Sequence, residues 1–234
     1  MNLLPIGYME LESIYARTVG EGMRTLAVTS SVSGEGVTTV AEALAKRVEA
    51  AGNRALLVEL NLFRPELTRR FGVARQNWLP MDSEHKDSAI RVDGFSLLSA
   101  PSSPDAALRF REHAALQTAI ERWLSDYDVV VFDTSPLNAV NQGNIPAELV
   151  CTACDGSLMV VQAGCTSESS VREAAQRLRD AGANLLGSVV NDRFNPTLPS
   201  ELIRETFKVN RYFPRFSAWV RSRIRASALL NAGV

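Results

Sequence analysis

The sequence predicts an α/β fold: a doubly wound, mostly parallel sheet with helices on both faces. Three observations lead to this prediction. Short apolar runs alternate with longer stretches of helical period, which is the pattern of βαβ units. The run at 128–133, DVVVFD, is almost continuously apolar, as a strand buried on both faces requires. The 234 residues, of which 46% are hydrophobic, are enough to bury one large core.

The predicted elements follow one another in a regular order. Apolar runs predict strands at 25–30, 54–59, 95–99, 128–133, 156–161 and 185–190. Helical period predicts helices at 38–51, 108–124 and 168–181. The stretch 71–91 shows neither period, and we expect it to be an irregular excursion on the surface. Because the carboxyl ends of parallel strands lie at the same end of the sheet, we expect four turns to lie there together: those after Ser30, Glu59, Asp133 and Val190.

Composition and charge argue against several classes of protein. The formal net charge is −1, so no specific nucleic acid is expected as a partner. The first residues lack the basic and apolar regions of a signal peptide, and no apolar stretch approaches the roughly 20 residues of a membrane span. Cys151 and Cys154 form a CxxC without a second pair or a nearby histidine, and we interpret them as buried structural thiols. We therefore expect a cytoplasmic, reduced protein.

A glycine-rich turn follows the first predicted strand. It reads SSVSGEGVTT over residues 30–39 and leads into a predicted helix. In this setting glycines let backbone N–H groups converge on phosphate oxygens, and the helix N-terminus adds partial positive charge. Contacts to a nucleotide are expected from Gly34, Glu35, Gly36, Val37, Thr38 and Thr39. The hydroxyl of Thr38 and the carboxylate of Asp133, which ends the most apolar strand, form a candidate Mg²⁺ site.

Four segments resemble the bacterial tyrosine kinases of capsule and exopolysaccharide assembly, which are P-loop NTPases related to the MinD/ParA ATPases. The segments are SSVSGEGVTT, ALLVELNLFRP, YDVVVFDTSP and AGANLLGSVVN. They are similar to the family's phosphate loop, its LLIDADLRRP segment, its Walker B strand and its AGxxxLGxVLN segment. The resemblance covers residues 8–195. It implies a P-loop NTPase-like domain at 25–200, an N-terminal helical segment at 1–24 and a basic helical tail at 201–234. It also implies that Asn191 lies near the adenine of bound ATP or ADP.

The chain departs from the family's pattern at important positions. Val37 stands where the phosphate-binding lysine belongs, and Glu59 and Asn61 stand where the family has two aspartates. The family's C-terminal tyrosine cluster is absent, with only Tyr212 in that region. An ammonium about 4 Å from a phosphate charge is worth roughly 4 kcal/mol at an effective dielectric of about 20, and valine supplies none of this. We therefore expect weak binding of ATP or ADP with Mg²⁺, and very slow or no hydrolysis.

Two alternatives to a weakly binding, inactive site stay open at this stage. In the first, an arginine from elsewhere, such as Arg64, replaces the missing charge. The chain is then an active ATP-dependent tyrosine kinase or ATPase, with Asp133 and Glu59 as its catalytic residues. In the second, Gly34 and Gly36 are only turn residues and no nucleotide binds.

The resemblance also implies partners. We expect an integral-membrane polysaccharide co-polymerase or export protein, which would bring the chain to the inner face of the cell membrane. Residues 10–17, ELESIYAR, resemble the helix through which the family assembles into rings, so self-association is a further expectation. Five tail arginines allow either a solvated helix or contact with anionic lipid: Arg211, Arg215, Arg221, Arg223 and Arg225.

Two hypotheses of different class follow from the retained motifs and the missing lysine. The leading one is a catalytically impaired homologue of the polysaccharide tyrosine kinases that regulates or scaffolds a membrane export or chain-length protein. The other is a partitioning-type positioning factor of the ParA/MinD kind, which would bind DNA or a membrane through residues 211–225. Salt-dependent binding through that segment separates the second hypothesis from the first.

Overall fold

The computed structural model describes residues 4–5, 7–80, 89–112, 114–139, 143–192, 206 and 214–226. The chain divides into two compact units. One comprises Met1–Gln162 with Thr166–Asn191, and the other comprises Ala163–Cys165 with Asp192–Val234. The N-terminal segment 1–24 lies within the first unit. None of the helices in the described ranges is long and apolar enough to cross a membrane.

The first unit is built on a seven-stranded sheet. Its strands are β1 (Thr25–Ser30), β2 (Ala55–Glu59), β3 (Ile90–Val92), β4 (Phe95–Leu98), β5 (Val129–Asp133), β6 (Gly156–Gln162) and β7 (Leu185–Asn191). Their order in the sheet is β3-β4-β2-β5-β1-β6-β7. All neighbours pair in parallel except β3 and β4, which form an antiparallel pair at one edge. The predicted doubly wound, mostly parallel sheet is confirmed.

Helices lie on both faces of this sheet, as predicted. The described helices are α1 (Met9–Arg17), α2 (Val37–Ala50), α3 (Glu66–Arg70), α4 (Ala106–Arg109), α5 (Ala115–Asp126), α6 (Ala147–Ala153), α7 (Glu168–Asp180) and, in the second unit, α8 (Pro214–Ala226). One apolar cluster joins the sheet to α1 and α2 through residues such as Leu11 and Leu44. A second cluster joins the other face to α5, α6 and α7 through Ile120, Val150 and Leu178.

The three central strands set the position of the functional residues. Every residue of β1, β2 and β5 is buried, which explains why their sequences are apolar without alternation. β5 lies between β1 and β2, and Asp133 pairs in register with Val28 on one side and Glu59 on the other. The carboxyl ends of these strands therefore lie side by side at one edge of the sheet, as predicted.

The helix predicted at 108–124 is wrong in its first half. The chain forms the short helix α4 and then a turn, and α5 begins only after Ala114, whose φ of 63° is left-handed. The turn carries Phe110, which is buried and packs edge-to-face against Trp78. This long-range aromatic contact overrides the helical period of the local sequence.

The described parts of the stretch 71–91, which are residues 71–80 and 89–91, are also more ordered than predicted. Trp78 is only 1% exposed, and its Nε1 donates a hydrogen bond to the carbonyl of Ser99 at 2.8 Å. The stretch runs into β3, which pairs with β4. The apolar residues of this stretch follow neither a strand nor a helix period, so the sequence alone does not reveal this anchor. Residues 81–88 of the predicted excursion lie outside the described ranges.

Candidate functional site

A phosphate loop, residues 30–36, joins β1 to α2. Gly34 and Gly36 have φ angles of 93° and 103°, a left-handed conformation that glycine adopts without strain. Gly36 directly precedes α2, and no side chain caps the first N–H groups of that helix. Ser33 and Gly34 are exposed at the tip of the loop. The phosphate loop therefore presents backbone donors and the positive end of a helix to an anion.

Asn191, at the end of β7, holds the phosphate loop through a hydrogen bond to its backbone. Its Nδ2 donates to the backbone carbonyl of Glu35 at 2.8 Å. A Cβ atom added to Gly36 would lie 2.6 Å from that same nitrogen, so a larger residue would collide with the amide. Glycine is thus required at position 36 by both its φ angle and this close approach. The structure gives Asn191 a role in shaping the loop, in addition to the adenine contact that the resemblance implies.

Glu35 points its side chain inward rather than toward a ligand. The residue is 1% exposed. Its Oε2 accepts hydrogen bonds from the Ser31 hydroxyl at 3.0 Å and from the Val32 N–H at 2.9 Å. Its Oε1 accepts from the Gln162 N–H at 3.1 Å and from the Thr166 hydroxyl. Any contact of Glu35 with a nucleotide must therefore come from its backbone, because the carboxylate ties the loop to the end of β6.

Val37 begins α2 and is buried, at 9% exposure, in the apolar cluster that also contains Val28 and Val160. Its side chain is part of the core and offers neither charge nor donor to the loop. Position 37 therefore stabilises the packing of α2 on the sheet while the phosphate loop lacks its usual ammonium group. Thr39, in the same first turn, is half-buried.

Asp133 is a buried carboxylate whose charge is poorly compensated. It is 1% exposed, and within the described residues its oxygens accept no hydrogen bond of ordinary geometry, although the Thr38 hydroxyl lies near them. Burial, together with the charge of Glu59, raises the pKa of Asp133 to about 8, and the nearby Thr38 hydroxyl opposes this rise. Desolvated oxygens of this kind favour either a proton or a metal ion.

Thr38 and Asp133 fit a hydrated Mg²⁺ ion. The ion prefers hard oxygen ligands and keeps several waters, so one hydroxyl, a nearby carboxylate and phosphate oxygens are sufficient. No cluster of three or more His, Cys, Asp or Glu side chains that would hold a metal occurs in the part of the chain that the structure describes. A metal at this place would accordingly depend on the phosphates of a bound nucleotide for its remaining ligands.

Glu59 has a structural arrangement that argues against a role as general base. It is fully buried, and its carboxylate accepts hydrogen bonds from the Leu67 N–H at 2.6 Å, the Thr68 N–H at 3.0 Å and the Thr68 hydroxyl. Burial raises the pKa of Glu59, and these donors oppose the rise. The side chain therefore anchors the start of α3, and its oxygens are already occupied by these donors.

Arg64 lies beside the phosphate loop. Its Nη1 donates to the Ser33 hydroxyl at 3.1 Å, and its backbone N–H donates to Asn61 Oδ1 at 3.1 Å. The sequence suggested Arg64 only as one possible source of charge. The structure brings it to the tip of the loop, and gives Asn61 the role of shaping the turn that carries it.

Two residues that sequence reasoning missed complete the support of the loop. Gln162 donates from its backbone to Glu35 and from its Nε2 to the backbone carbonyl of Asn191 at 2.8 Å. Thr166 donates its hydroxyl to Glu35. Neither residue belongs to a motif that the resemblance uses, and only the folded arrangement of β6 and β7 places them here.

The remaining predicted features lie away from the loop. Cys151 and Cys154 are buried free thiols; burial raises the pKa of Cys151 to about 12 and also raises that of Cys154. Both are therefore protonated, as expected of structural thiols. Arg223 is exposed and stacks on Trp219, with its Cζ 5.6 Å from the ring centroid. The other four tail arginines lie outside the described residues or side chains: Arg211, Arg215, Arg221 and Arg225.

A cavity of about 440 Å³ opens next to the segment that follows β5. Ser135 and Leu137 line one side, and the start of α6 and the end of α7 line the rest. None of its lining residues belongs to the phosphate loop, so we place the candidate site at the loop, where the unsatisfied donors and the orphaned carboxylate meet.

The parallel sheet, the glycine-rich loop before α2 and the acidic end of β5 define a class of protein. The chain has a P-loop NTPase fold of the MinD/ParA-like type, with helices on both faces of a seven-stranded sheet. No protein-family model matches the chain.

Its homologues are bacterial tyrosine-protein kinases. Tyrosine-protein kinase CpsD of Streptococcus agalactiae is 26% identical over 179 residues, which are 74% of this chain and 76% of the relative. Tyrosine-protein kinase YwqD of Bacillus subtilis (strain 168) is 26% identical over 183 residues, which are 75% of each protein. The names of these relatives agree with the resemblance to bacterial tyrosine kinases.

Solved structures show the same fold. The chimerical protein CapA2B2 superposes with a TM-score of 0.68 at 23% identity, over 78% of this chain and 83% of that one. Cobyrinic acid a,c-diamide synthase from Mycobacterium smegmatis, with bound ATP analog and magnesium, superposes with a TM-score of 0.61 at 24% identity, over 72% and 74%. At these identities the likeness shows the fold alone.

We predict that Glu35→Gln destabilises the protein. A glutamine would turn an N–H₂ group toward donors that now face a carboxylate, leaving buried polar atoms unpaired. The expected loss in the free energy of unfolding is about 2–3 kcal/mol, measured by urea denaturation. Glu173→Gln, on the exposed face of α7, is the matched control and should change stability by less than about 0.5 kcal/mol. Equal effects of the two substitutions would contradict the assignment.

We predict that Asp133→Asn stabilises the nucleotide-free and metal-free protein, and more so at pH 8 than at pH 5. The folded pKa of about 8 lies above the ordinary 3.8, so the folded state loses stability as the pH rises between these values. Asparagine removes that loss, and we expect a gain on the order of 1–3 kcal/mol at pH 8 in urea denaturation.

The matched control for this prediction is Asp128→Asn. The Arg54 side chain lowers the pKa of Asp128 to about 2, so this carboxylate is favourable in the folded state throughout the pH range 5–8. Asp128→Asn should therefore reduce stability slightly at both pH values. A gain for Asp133→Asn that is the same at pH 5 and pH 8 would show that its carboxylate is not desolvated.

Proposed function

We propose that the chain is a nucleotide-binding, catalytically impaired homologue of the polysaccharide tyrosine kinases. It acts in capsule or exopolysaccharide assembly as a regulatory or scaffolding partner rather than as a kinase. One observation supports this proposal above all. The phosphate loop keeps its glycines and an uncapped helix N-terminus, but the position of the phosphate-binding lysine is occupied by Val37, whose side chain is buried in the core.

Each part of the site has a definite role in binding. The N–H groups that follow Gly36 receive phosphate oxygens, and the dipole of α2 favours their charge. The Thr38 hydroxyl and the Asp133 carboxylate would hold Mg²⁺, directly or through water, when ATP or ADP is bound. The ion would supply positive charge next to the phosphates and next to the buried carboxylate of Asp133.

The replacement of the lysine by Val37 should slow hydrolysis more than it weakens nucleotide binding. Charge spreads onto the transferring phosphoryl oxygens in the transition state, so a missing cation costs more there than in the ground state. Glu59, which is bonded to α3, offers no base to activate a water. The nucleotide is accordingly a structural or regulatory ligand in this proposal.

The partner we propose is an integral-membrane polysaccharide co-polymerase or export protein, which holds the chain at the inner face of the cell membrane. The homology to capsule and exopolysaccharide kinases supports this choice. Crosslinking in intact cells followed by mass spectrometry tests it. Recovery of soluble proteins only, with no membrane export component, would argue against this partner.

We predict that Val37→Lys strengthens nucleotide binding, at some cost in the free energy of unfolding because Val37 packs in the core. If half of the roughly 4 kcal/mol of a lysine–phosphate contact is recovered, the affinity for ADP·Mg²⁺ or ATP·Mg²⁺ rises about thirtyfold. Fluorescence titration with a labelled nucleotide measures this change. Val37→Met, which adds length but no charge, is the matched control and should leave the affinity within about twofold. A sensitive phosphate-release assay on the wild-type protein should give no turnover above that of Asp133→Ala.

The absence of detectable binding in both the wild-type protein and Val37→Lys would mean that the loop is closed to nucleotide, and would contradict the proposed function. Turnover of the wild-type protein at the rate of an ordinary P-loop ATPase, abolished by Asp133→Ala, would contradict the catalytic impairment instead.

A second candidate function is an active ATP-dependent tyrosine kinase that uses a non-standard cation. The names of the homologues and the position of Arg64 next to the loop favour it. It predicts phosphotyrosine on the chain or on a co-incubated partner, detected with radiolabelled ATP and lost in Thr38→Ala. If the protein is catalytically impaired, as we propose, neither the wild type nor Thr38→Ala incorporates label.

A further inference from the structure

We propose that Arg64 is the phosphate-binding cation of this site and takes over the ground-state role of the absent lysine. The ligand class is a nucleoside di- or triphosphate. This inference rests on the proposed function, because it requires a nucleotide at the phosphate loop. It adds a specific residue that comes from a different part of the chain than the loop itself.

The first argument is position. The guanidinium of Arg64 lies 3.1 Å from the Ser33 hydroxyl, and Ser33 is at the exposed tip of the loop, next to Gly34. A guanidinium carries five N–H donors in a planar fork, and the contact with Ser33 uses one of them. Because Arg64 is exposed, its remaining donors are accessible to a polyphosphate bound at the loop.

The second argument is pairing. Three arginines occur close together after β2, and two of them are bound to carboxylates: Arg69 to Glu66 and Arg70 to Glu42. Arg64 forms no ion pair with any carboxylate in the part of the chain that the structure describes, and its side chain donates instead to the neutral hydroxyl of Ser33. An exposed cation without a counter-ion, placed on an anion-binding loop, is matched to an anionic ligand.

The third argument is that the chain holds Arg64 in place before a ligand arrives. On one side, Asn61 Oδ1 accepts the backbone N–H of Arg64 and shapes the turn. On the other side, the buried carboxylate of Glu59 holds the N–H groups of Leu67 and Thr68. Both anchors come from the carboxyl end of β2, so little conformational freedom of the backbone remains to be lost on binding.

Arg64 contributes to the binding of the nucleotide and not to its hydrolysis. Arg64 is exposed at the rim, whereas a lysine at position 37 would approach the phosphates from the first turn of α2. An exposed guanidinium is partly screened by water and salt, so its contribution is smaller than that of an enclosed ammonium. This difference makes the inference compatible with binding in the absence of hydrolysis.

The experiment compares four full-length proteins: wild type, Arg64→Ala, Arg64→Lys and Arg69→Ala. Dissociation constants for ATP·Mg²⁺ and ADP·Mg²⁺ are measured with fluorescent analogues at two salt concentrations. We expect Arg64→Ala to weaken binding about tenfold, the effect of one charge-assisted contact. Arg64→Lys keeps the charge but not the fork and should lie between wild type and Arg64→Ala. Arg69→Ala removes a neighbouring exposed arginine and should stay within about twofold of wild type.

The outcomes separate this inference from the proposed function. If the wild type binds nucleotide and Arg64→Ala binds equally well, Arg64 is not the cation and the proposed function stands. If the wild type binds no nucleotide at millimolar concentrations, both are overturned. If Arg64→Ala weakens nucleotide binding but its dissociation constant depends on salt as strongly as that of the wild type, the contact does not act through charge. This result would overturn the role of Arg64 as the phosphate-binding cation. Thermal unfolding of each variant confirms that the substitutions at these exposed positions leave the fold intact.

Discussion

The buried carboxylate of Glu35 is the interaction on which the candidate site depends. A glycine-rich loop has few side chains of its own to hold it, and free glycines lose much conformational entropy when they are ordered. Glu35 compensates by accepting hydrogen bonds from Ser31 and Val32 within the loop and from Gln162 and Thr166 beyond it. The single inward side chain therefore lets the two glycines keep their left-handed conformations and leaves the outer surface of the loop open.

Charge around the carboxyl edge of the sheet is distributed unevenly. Four carboxylates are buried there or nearby, and three of them are compensated. Glu35 and Glu59 accept several hydrogen bonds each, and Glu42 pairs with Lys46 at 2.7 Å and with Arg70. Asp133 is the least compensated of the four: within the described residues its oxygens accept no hydrogen bond of ordinary geometry, and the nearby Thr38 hydroxyl and the charge of Arg70 offset only part of its burial. The replacement of the usual lysine by Val37 thus leaves a site whose remaining requirement is positive charge, which a hydrated metal ion and Arg64 can supply from two sides.

The parts of this protein that sequence predicted well are those with a strong local pattern. The continuous apolar run of β5 and the glycines before α2 each have one physical explanation, and both were placed correctly. The long helix at 108–124 failed because Phe110 turns into the core against Trp78, a contact between distant segments that no local period reveals. The same reason hid Gln162 and Thr166. The orientation of Glu35 was also missed, since a glutamate in a phosphate loop can face a ligand or the core and only the surrounding donors decide between them.

The anchors of the phosphate loop are far away along the chain. Asn191 lies 156 positions from Glu35 along the chain. Gln162 and Thr166, which donate to the Glu35 carboxylate, lie 127 and 131 positions from it. Contacts over such separations form late in folding, because the entropy of closing the intervening chain must be overcome first. The seven loop residues are contiguous, yet their shape is completed only when β6 and β7 join the sheet. During synthesis the phosphate loop therefore cannot take its final shape until the chain as far as Asn191 has been made and β6 and β7 have joined the sheet.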